Sequence, residues 1–197
     1  SCAPGCALKV PIRRYWLALG EFVADFAHME GWLFMFLAGR ARIPMRTGQA
    51  LLSGSKTDQL TSFIKRLYEV RREGVPQLLA ETIDQIGHIN ALRNKLVHYP
   101  AWEQDPETFV IDTAVRQIAT RAAKTPVPIT TIYAAIFDIE TIGANIVLLG
   151  IELGPKADAA ISPPNGALLE KRARRAWRYR PAAPASPRQK NRNNAQK

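Results

Sequence analysis

A chain of 197 residues has room for one domain plus an appendage and can bury a real core. Its 47% hydrophobic and 22% charged residues are globular proportions, which exclude a disordered or collagen-like chain. The net charge of +10 is lopsided: residues 171–197 hold ten Lys or Arg and no acid, so the 27 basic residues fall to 17 over 1–170, equal to the acidic count.

Cys2 and Cys6 are the two cysteines, too few for a disulfide framework or a zinc site. The stretch "SCAPGCALKVPIRRYW" lacks the continuous apolar run of a secretory signal, so none is expected there. The window "GWLFMFLAG" at 31–39 falls far short of the ~20 apolar residues of a membrane span. These features predict a soluble, cytoplasmic protein without a bound metal or cofactor.

The first helical signal runs from Tyr15 to Ala38. Trp16, Leu19, Phe22, Val23, Phe26, Met29, Leu33, Phe34 and Leu37 follow the three-four spacing of a buried face, and Gly39 is the expected stop. A connector follows, broken at Pro44, Gly48 and Gly54, with room for one short helical turn. Thr57 or Asp58 caps a second helix that turns Leu60, Phe63, Ile64, Leu67 and Val70 inward, closed by Gly74. Pro76 falls in the first turn of a third helix reaching Tyr99, with Leu79, Ile83, Ile86, Ile89, Leu92 and Leu96 inside. Pro100 must end it.

In "ETFVIDTAV" the period shifts toward alternation, which predicts a short strand as one arm of a hairpin. Pro126 and Pro128 mark a loop, and Thr130 or Thr131 caps a fourth helix with the stripe Ile132, Ile136, Ile139, Gly143, Ile146, Gly150 and Leu153. Each glycine on that stripe costs about 1 kcal/mol relative to alanine, so something must pack very closely there. The expected fold is therefore all-α, a four-to-five-helix bundle with a small β-hairpin insert. Its parts are an N-terminal extension (1–14), the helical domain (15–153), a linker (154–170) and a basic, largely disordered tail (171–197).

The third helix carries an anomaly. Its line Leu79, Ile83, Ile86, Asn90, Arg93, Val97 puts two polar residues into an apolar stripe. Asn94 and His98 lie one turn apart on the adjoining side. Arg93 and His98 are about 140° apart on an ideal helix, so their meeting requires a deformed last turn or a second protomer.

The motif R-N-K-L-V-H over 93–98, an arginine, a polar residue and then a histidine at the end of a long bundle helix, resembles that of the HEPN superfamily of all-helical domains. The resemblance implies a metal-independent endoribonuclease that dimerises and joins two motifs in one cleft. It implies that Arg93 binds the scissile phosphate, His98 moves protons and Asn94 orients the site, and it suggests a toxin or defence role with a cognate antitoxin as partner. The side chains suit this work. Imidazole titrates near neutrality, so it exchanges a proton with the 2′-OH or the leaving 5′-oxygen. Guanidinium grips phosphate and offsets the charge growing on it.

Glu30 interrupts the inward line Phe22, Phe26, Leu33, Leu37 and needs a partner, either Arg93 or water. Asp25 and His28 read as surface residues, and His88 as a packed or half-exposed one. In the tail, Lys171, Arg172, Arg174, Arg175, Arg178 and Arg180 alternate with Trp177 and Tyr179. That pattern fits nucleic-acid binding, an anionic membrane surface or a solvated tail. The leading expectation is an RNA-cleaving homodimer with no membrane partner for its body. The alternative is a non-catalytic helical module that binds nucleotide or RNA or serves as an oligomeric interaction protein.

Overall fold

The computed structural model describes residues 10–112, 124–152, 171–173 and 175–181. Cys2, Cys6, the linker at 154–170, Arg174 and residues 182–197 lie outside the described residues. Five helices are found among the described residues: α1 (Val10–Ala41), α2 (Met45–Leu52), α3 (Thr57–Val70), α4 (Gln77–His98) and α5 (Ile129–Glu152). Three strands, β1 (Ala101–Asp105), β2 (Thr108–Asp112) and β3 (Lys124–Pro128), separate α4 from α5. The chain is thus mostly helical with a small sheet, and the expectation of an all-α fold with one hairpin is corrected by the third strand.

The helices end for reasons the residue types only partly reveal. α1 runs through Gly39 and stops where Arg42 turns left-handed at φ 58, with Ile43 N–H donating to Ala38 O at 3.1 Å. α3 likewise ends before Arg72 at φ 56, ahead of Gly74. Both are the left-handed closure that normally selects glycine, here held by arginine. Residues 10–14, expected in an extension, belong to α1. Pro76 stands at the N-cap of α4 rather than inside its first turn. At the other end Tyr99 is extended (φ −120, ψ 143), as a residue before Pro100 must be.

The sheet has the order β1-β2-β3, with both pairs antiparallel and a register shift between Glu103 and Asp105. Pro126 and Pro128, expected in a loop, lie on β3 opposite Val110 and Thr108. β3 is an edge strand, the place where a missing N–H is tolerated. The sheet is fastened to the start of α1. Tyr15 stacks on Phe109 with ring centroids 3.6 Å apart, and Arg14 bridges Glu107 at 2.9 Å.

The core lies between α1 and α5, its most extensive contact, with α3 and α4 closing it. Phe22, Met29 and Leu33 of α1 and Ile132, Ile139 and Ile142 of α5 are fully buried or nearly so. α5 over Ile129–Gly150 is long and apolar enough to cross a membrane, unlike the 31–39 window singled out from sequence, but 67% of its most apolar stretch is buried inside the protein. Trp16 and Val23, expected on the inward face of α1, are 52% and 41% exposed; Phe63 and Val70 of α3 also face outward.

The glycines of α5 differ. A Cβ at Gly143 would fall 2.2 Å from Cζ3 of Trp32, so the indole of α1 occupies that space. At Gly150 a Cβ would meet nothing within 4 Å among the described residues. Gly143→Ala should therefore lower stability by about 1–3 kcal/mol through overpacking. Gly150→Ala should be neutral or gain up to about 1 kcal/mol. Urea unfolding of both variants checks this, and equal effects of either sign would refute the assigned close approach.

Tyr15 is fully buried and its hydroxyl has no hydrogen-bond partner among the described residues. Burial pushes its phenol up to about 12 from 10.0. Between those values the unfolded chain gives up the proton while the folded protein holds it. Stability present below pH 10 should then be lost as pH rises to 12, by roughly 2–3 kcal/mol. Unfolding curves at pH 9 and near 12 should show this loss in the wild type and not in Tyr15→Phe; parallel losses in both would contradict it.

Candidate functional site

Two polar clusters interrupt the hydrophobic body, and α4 contributes to both. The first gathers where α1, α3 and α4 meet. The Thr57 hydroxyl, at the start of α3, donates to Glu30 Oε1 of α1 at 2.6 Å. Next to it Asp58 Oδ1 accepts from Asn90 Nδ2 of α4 at 2.8 Å. The N-terminus of α3 is thereby pinned from both sides, with acidic Asp58 in its first turn complementing the helix dipole. Lys56 N–H also donates to Gln59 Oε1 at 2.8 Å, closing one orphan donor of that terminus.

One turn beyond Asn90, Arg93 is half-buried, its guanidinium carbon 5.7 Å from the centre of the Phe26 ring of α1. Its Nη1 donates to Asn94 Oδ1 at 3.2 Å and lies 3.3 Å from Nε2 of exposed His98. A guanidinium only donates, so a hydrogen bond across this contact requires Nε2 to accept, as in the neutral imidazole that carries its proton on Nδ1. The structure brings Arg93, Asn94 and His98 together within one chain and on an unbroken helix. Neither a deformed turn nor a second protomer is needed, because the long arginine stem covers the angle between the two Cα directions. The expected Glu30–Arg93 pairing is not formed. Thr57 is the partner of Glu30, and no carboxylate lies within 4 Å of Arg93 among the described residues.

The second cluster was not anticipated. Asp138, in the middle of α5, has no exposed surface, and both of its oxygens are used. Oδ1 accepts the N–H of Arg178 at 2.8 Å; Oδ2 accepts the N–H of Tyr179 at 2.8 Å and Nε2 of Gln85 at 2.7 Å. The Gln85 amide also donates to Tyr179 O at 3.0 Å. Burial raises the Asp138 carboxyl above its ordinary value, opposed by those hydrogen bonds and by the charge of Arg178. Beside it, Arg178 lies 3.5 Å and Arg175 5.1 Å from the centre of the Phe137 ring. A shallow groove of about 460 Å³ opens along this seam, between Glu81, Asp84 and His88 of α4 and Trp177, Tyr179 and Arg180 of the tail.

The disordered tail therefore needs correction over 175–181, which is docked on α4 and α5. Of the residues proposed for nucleic-acid contact, Lys171, Arg172, Arg178 and Arg180 are exposed. Arg175 and Arg178 sit against Phe137, while Trp177 and Tyr179 are half-buried. Arg174 lies outside the described residues. At 100° per residue the groove side of α4 (Glu81, Asp84, Gln85, His88) is well away from Arg93, so tail and Arg–His pair occupy different sides of the helix. Asp25 and His28 form a surface pair at 4.0 Å, and His88 is half-exposed beside Asp84 at 3.4 Å, as expected.

Two sequence signals could have found Asp138. A carboxylate directly after the apolar run "AAIF" demands a partner, and Gln85 with Thr82 interrupts the inward side of α4. What sequence cannot supply is the identity of that partner, which is backbone N–H from 40 residues downstream.

Comparison with known protein families, with curated proteins and with solved structures finds no match to this chain.

Asp138→Ala should leave Gln85 and two tail N–H groups without their acceptor, lowering stability by about 2–4 kcal/mol and releasing the tail. Trypsin should then cut after Arg175 and Arg178 faster, and Trp177 emission should shift to the red. Unchanged cleavage and emission in a folded variant would show that the carboxylate does not hold the tail.

Proposed function

We propose that this chain is a HEPN-like, metal-independent endoribonuclease whose site is built from Arg93, Asn94 and His98. The observation that carries the reading is the contact of Arg93 with His98 and Asn94 at an accessible helix end, with the guanidinium unneutralised by any nearby acid among the described residues. An RNA phosphate is the natural counter-ion for such a group. Arg93 binds it, and Asn94, bonded to the same nitrogen, limits where the guanidinium can point.

As the phosphate draws Arg93 away from Nε2, the imidazole lone pair is freed to take the proton of the 2′-OH. The 2′-oxygen attacks phosphorus, the P–O5′ bond breaks, and the leaving 5′-oxygen takes a proton from the imidazolium or from water, so that a cyclic phosphate and a 5′-OH result. Charge growing on the phosphoryl oxygens strengthens their bonds to Arg93, a stabilisation specific to the transition state. DNA lacks the attacking hydroxyl and is not cut. Glu30 acts at a distance in this reading: through Thr57 it fixes α3, and with it the wall of the site. The exposed Lys171, Arg172, Arg178 and Arg180 add sequence-independent attraction for a polyanion. The reading carries with it a toxin or defence role in which a partner protein masks the site.

The Arg93–His98 contact also favours one second reading, a module that binds RNA without cutting it, since the lone pair is engaged in the free protein. The two part cleanly in one experiment. RNA incubated with the purified protein in excess chelator should give 2′,3′-cyclic phosphate ends, and Arg93→Ala and His98→Ala should each lower the rate by at least about 100-fold. Cleavage that persists in His98→Ala, or that needs a divalent metal, would overturn the mechanism. Binding that depends on Arg93 with no cleavage by any variant would establish the second reading.

A further inference from the structure

Charge is segregated within the body as well as between body and tail. Residues 39–75, which hold the end of α1 with α2 and α3, carry eight Lys or Arg against three acids. Residues 76–170 reverse this, with six against eleven. The basic stretch also holds large apolar side chains that stay exposed: Met45, Leu51, Phe63, Val70 and Val75, with Leu51 at 70% and Val70 at 81%.

Helix geometry gathers these residues on one surface. Phe26, Glu30 and Phe34 advance round α1 in steps of about 40°. They meet α4 through Arg93, α3 through Thr57 and α2 through Gly48, so α3 lies between α4 and α2. On α3 the side of α4 is marked by Asp58, which bonds Asn90. Phe63 and Val70 stand about 120–140° round from Asp58, away from α4 and toward α2. Arg66, three residues after Phe63 and four before Val70, borders the same strip. The acids are elsewhere: Glu69 lies within about 20° of Asp58, and Glu73 is paired with Arg40. The α2 sequence MRTGQALL contains none. Arg42, Arg46, Arg66 and Arg72 are all exposed.

Such charge calls for a phosphate-bearing partner, and the apolar groups select among these. Single-stranded nucleic acid is met with aromatic platforms for its bases, whereas Met45, Leu51 and Val70 have no ring to stack. Aliphatic side chains set among arginine stems suit the boundary between lipid headgroups and acyl chains. We propose that the surface shared by α2 and α3 docks on an anionic lipid bilayer, with Leu51 and Val70 entering the headgroup boundary and Arg46, Arg66 and Arg72 meeting lipid phosphates. The cytoplasmic leaflet is anionic, so this peripheral contact agrees with the expected location while departing from the expectation of a body without a membrane partner. It does not rest on the ribonuclease reading. The docked tail lies against α4 and α5, on the far side of α3 from α2.

Flotation of the full chain with vesicles tests the proposal. Vesicles of phosphatidylcholine and phosphatidylserine at about 2:1 should carry the protein, and pure phosphatidylcholine should not. Leu51→Gln/Val70→Gln and Arg46→Glu/Arg66→Glu should each weaken binding at least ~10-fold, with an unchanged helical spectrum and melting. Glutamine leaves the charge as it was, so the first pair separates a bilayer from a polyanion. Its affinity for a single-stranded RNA oligonucleotide should stay within about 2-fold of the wild type. Failure of the wild type to float with phosphatidylserine would overturn the proposal. So would flotation that survives Leu51→Gln/Val70→Gln, which is what attraction through the tail alone would give, or an equal loss of RNA affinity in that variant.

Discussion

The indole of Trp32 pressed against Gly143 sets how closely α1 and α5 approach, and that approach decides where everything else can sit. With the two long helices in contact along their apolar faces, α3 and α4 are left to close the core from the sides, and the sheet is left to close the end where Tyr15 meets Phe109. A larger residue than glycine at 143 would wedge the pair apart and loosen the layer on which both polar clusters are built. The apolar character of α5 follows from this position: a helix walled by α1, α4 and the sheet has little surface left to solvate.

Polar residues then fix the elements that hydrophobic contact alone would leave free to slide. Glu30–Thr57 and Asp58–Asn90 tie the start of α3 to α1 and α4, which holds Arg93 over Phe26 and within reach of His98. Between α4 and α5, Thr82 accepts from Asn145 at 3.1 Å, and Gln85 donates to Asp138. Desolvation of that carboxylate is expensive, and hydrogen bonds from the tail offset it. The tail is therefore bound through its backbone and not only through its positive charge. Arg175 and Arg178 lie over Phe137; Arg175 is half-buried there, while Arg178 stays exposed.

Much of this architecture was legible in the residues, because apolar spacing reports which side of a helix is inside. α3, α4 and α5 fall close to where periodicity and prolines place them, and the need for close packing at Gly143 followed from its cost in a helix. The glycine at 150 has no such partner among the described residues. Failures came where one signal stands for two causes. Trp16 and Val23 are apolar and helically spaced, so they read as core, but spacing alone does not separate an inward face from a second apolar face on the other side. Pro126 and Pro128 read as a loop because an edge strand that tolerates proline is invisible before the sheet order is known. Arg42 and Arg72 end helices in a conformation that residue type does not announce. At the candidate site, ideal helix angles kept Arg93 and His98 apart because they track Cα directions and ignore the reach of a guanidinium. Asp138 showed its need for a partner but not that the partner would be the tail.

The central claim is that Arg93 holds His98 in one tautomer and surrenders it to an RNA phosphate. Nitrogen-15 spectra of the imidazole in the free protein, and again with a 2′-deoxy oligonucleotide that binds but cannot be cut, test this most directly. The free protein should show a protonated Nδ1 and a lone-pair Nε2 whose shift depends on Arg93. Addition of the oligonucleotide should move Arg93 Nη and His98 Nε2 together. An imidazole that ignores both Arg93→Ala and the oligonucleotide would contradict the claim.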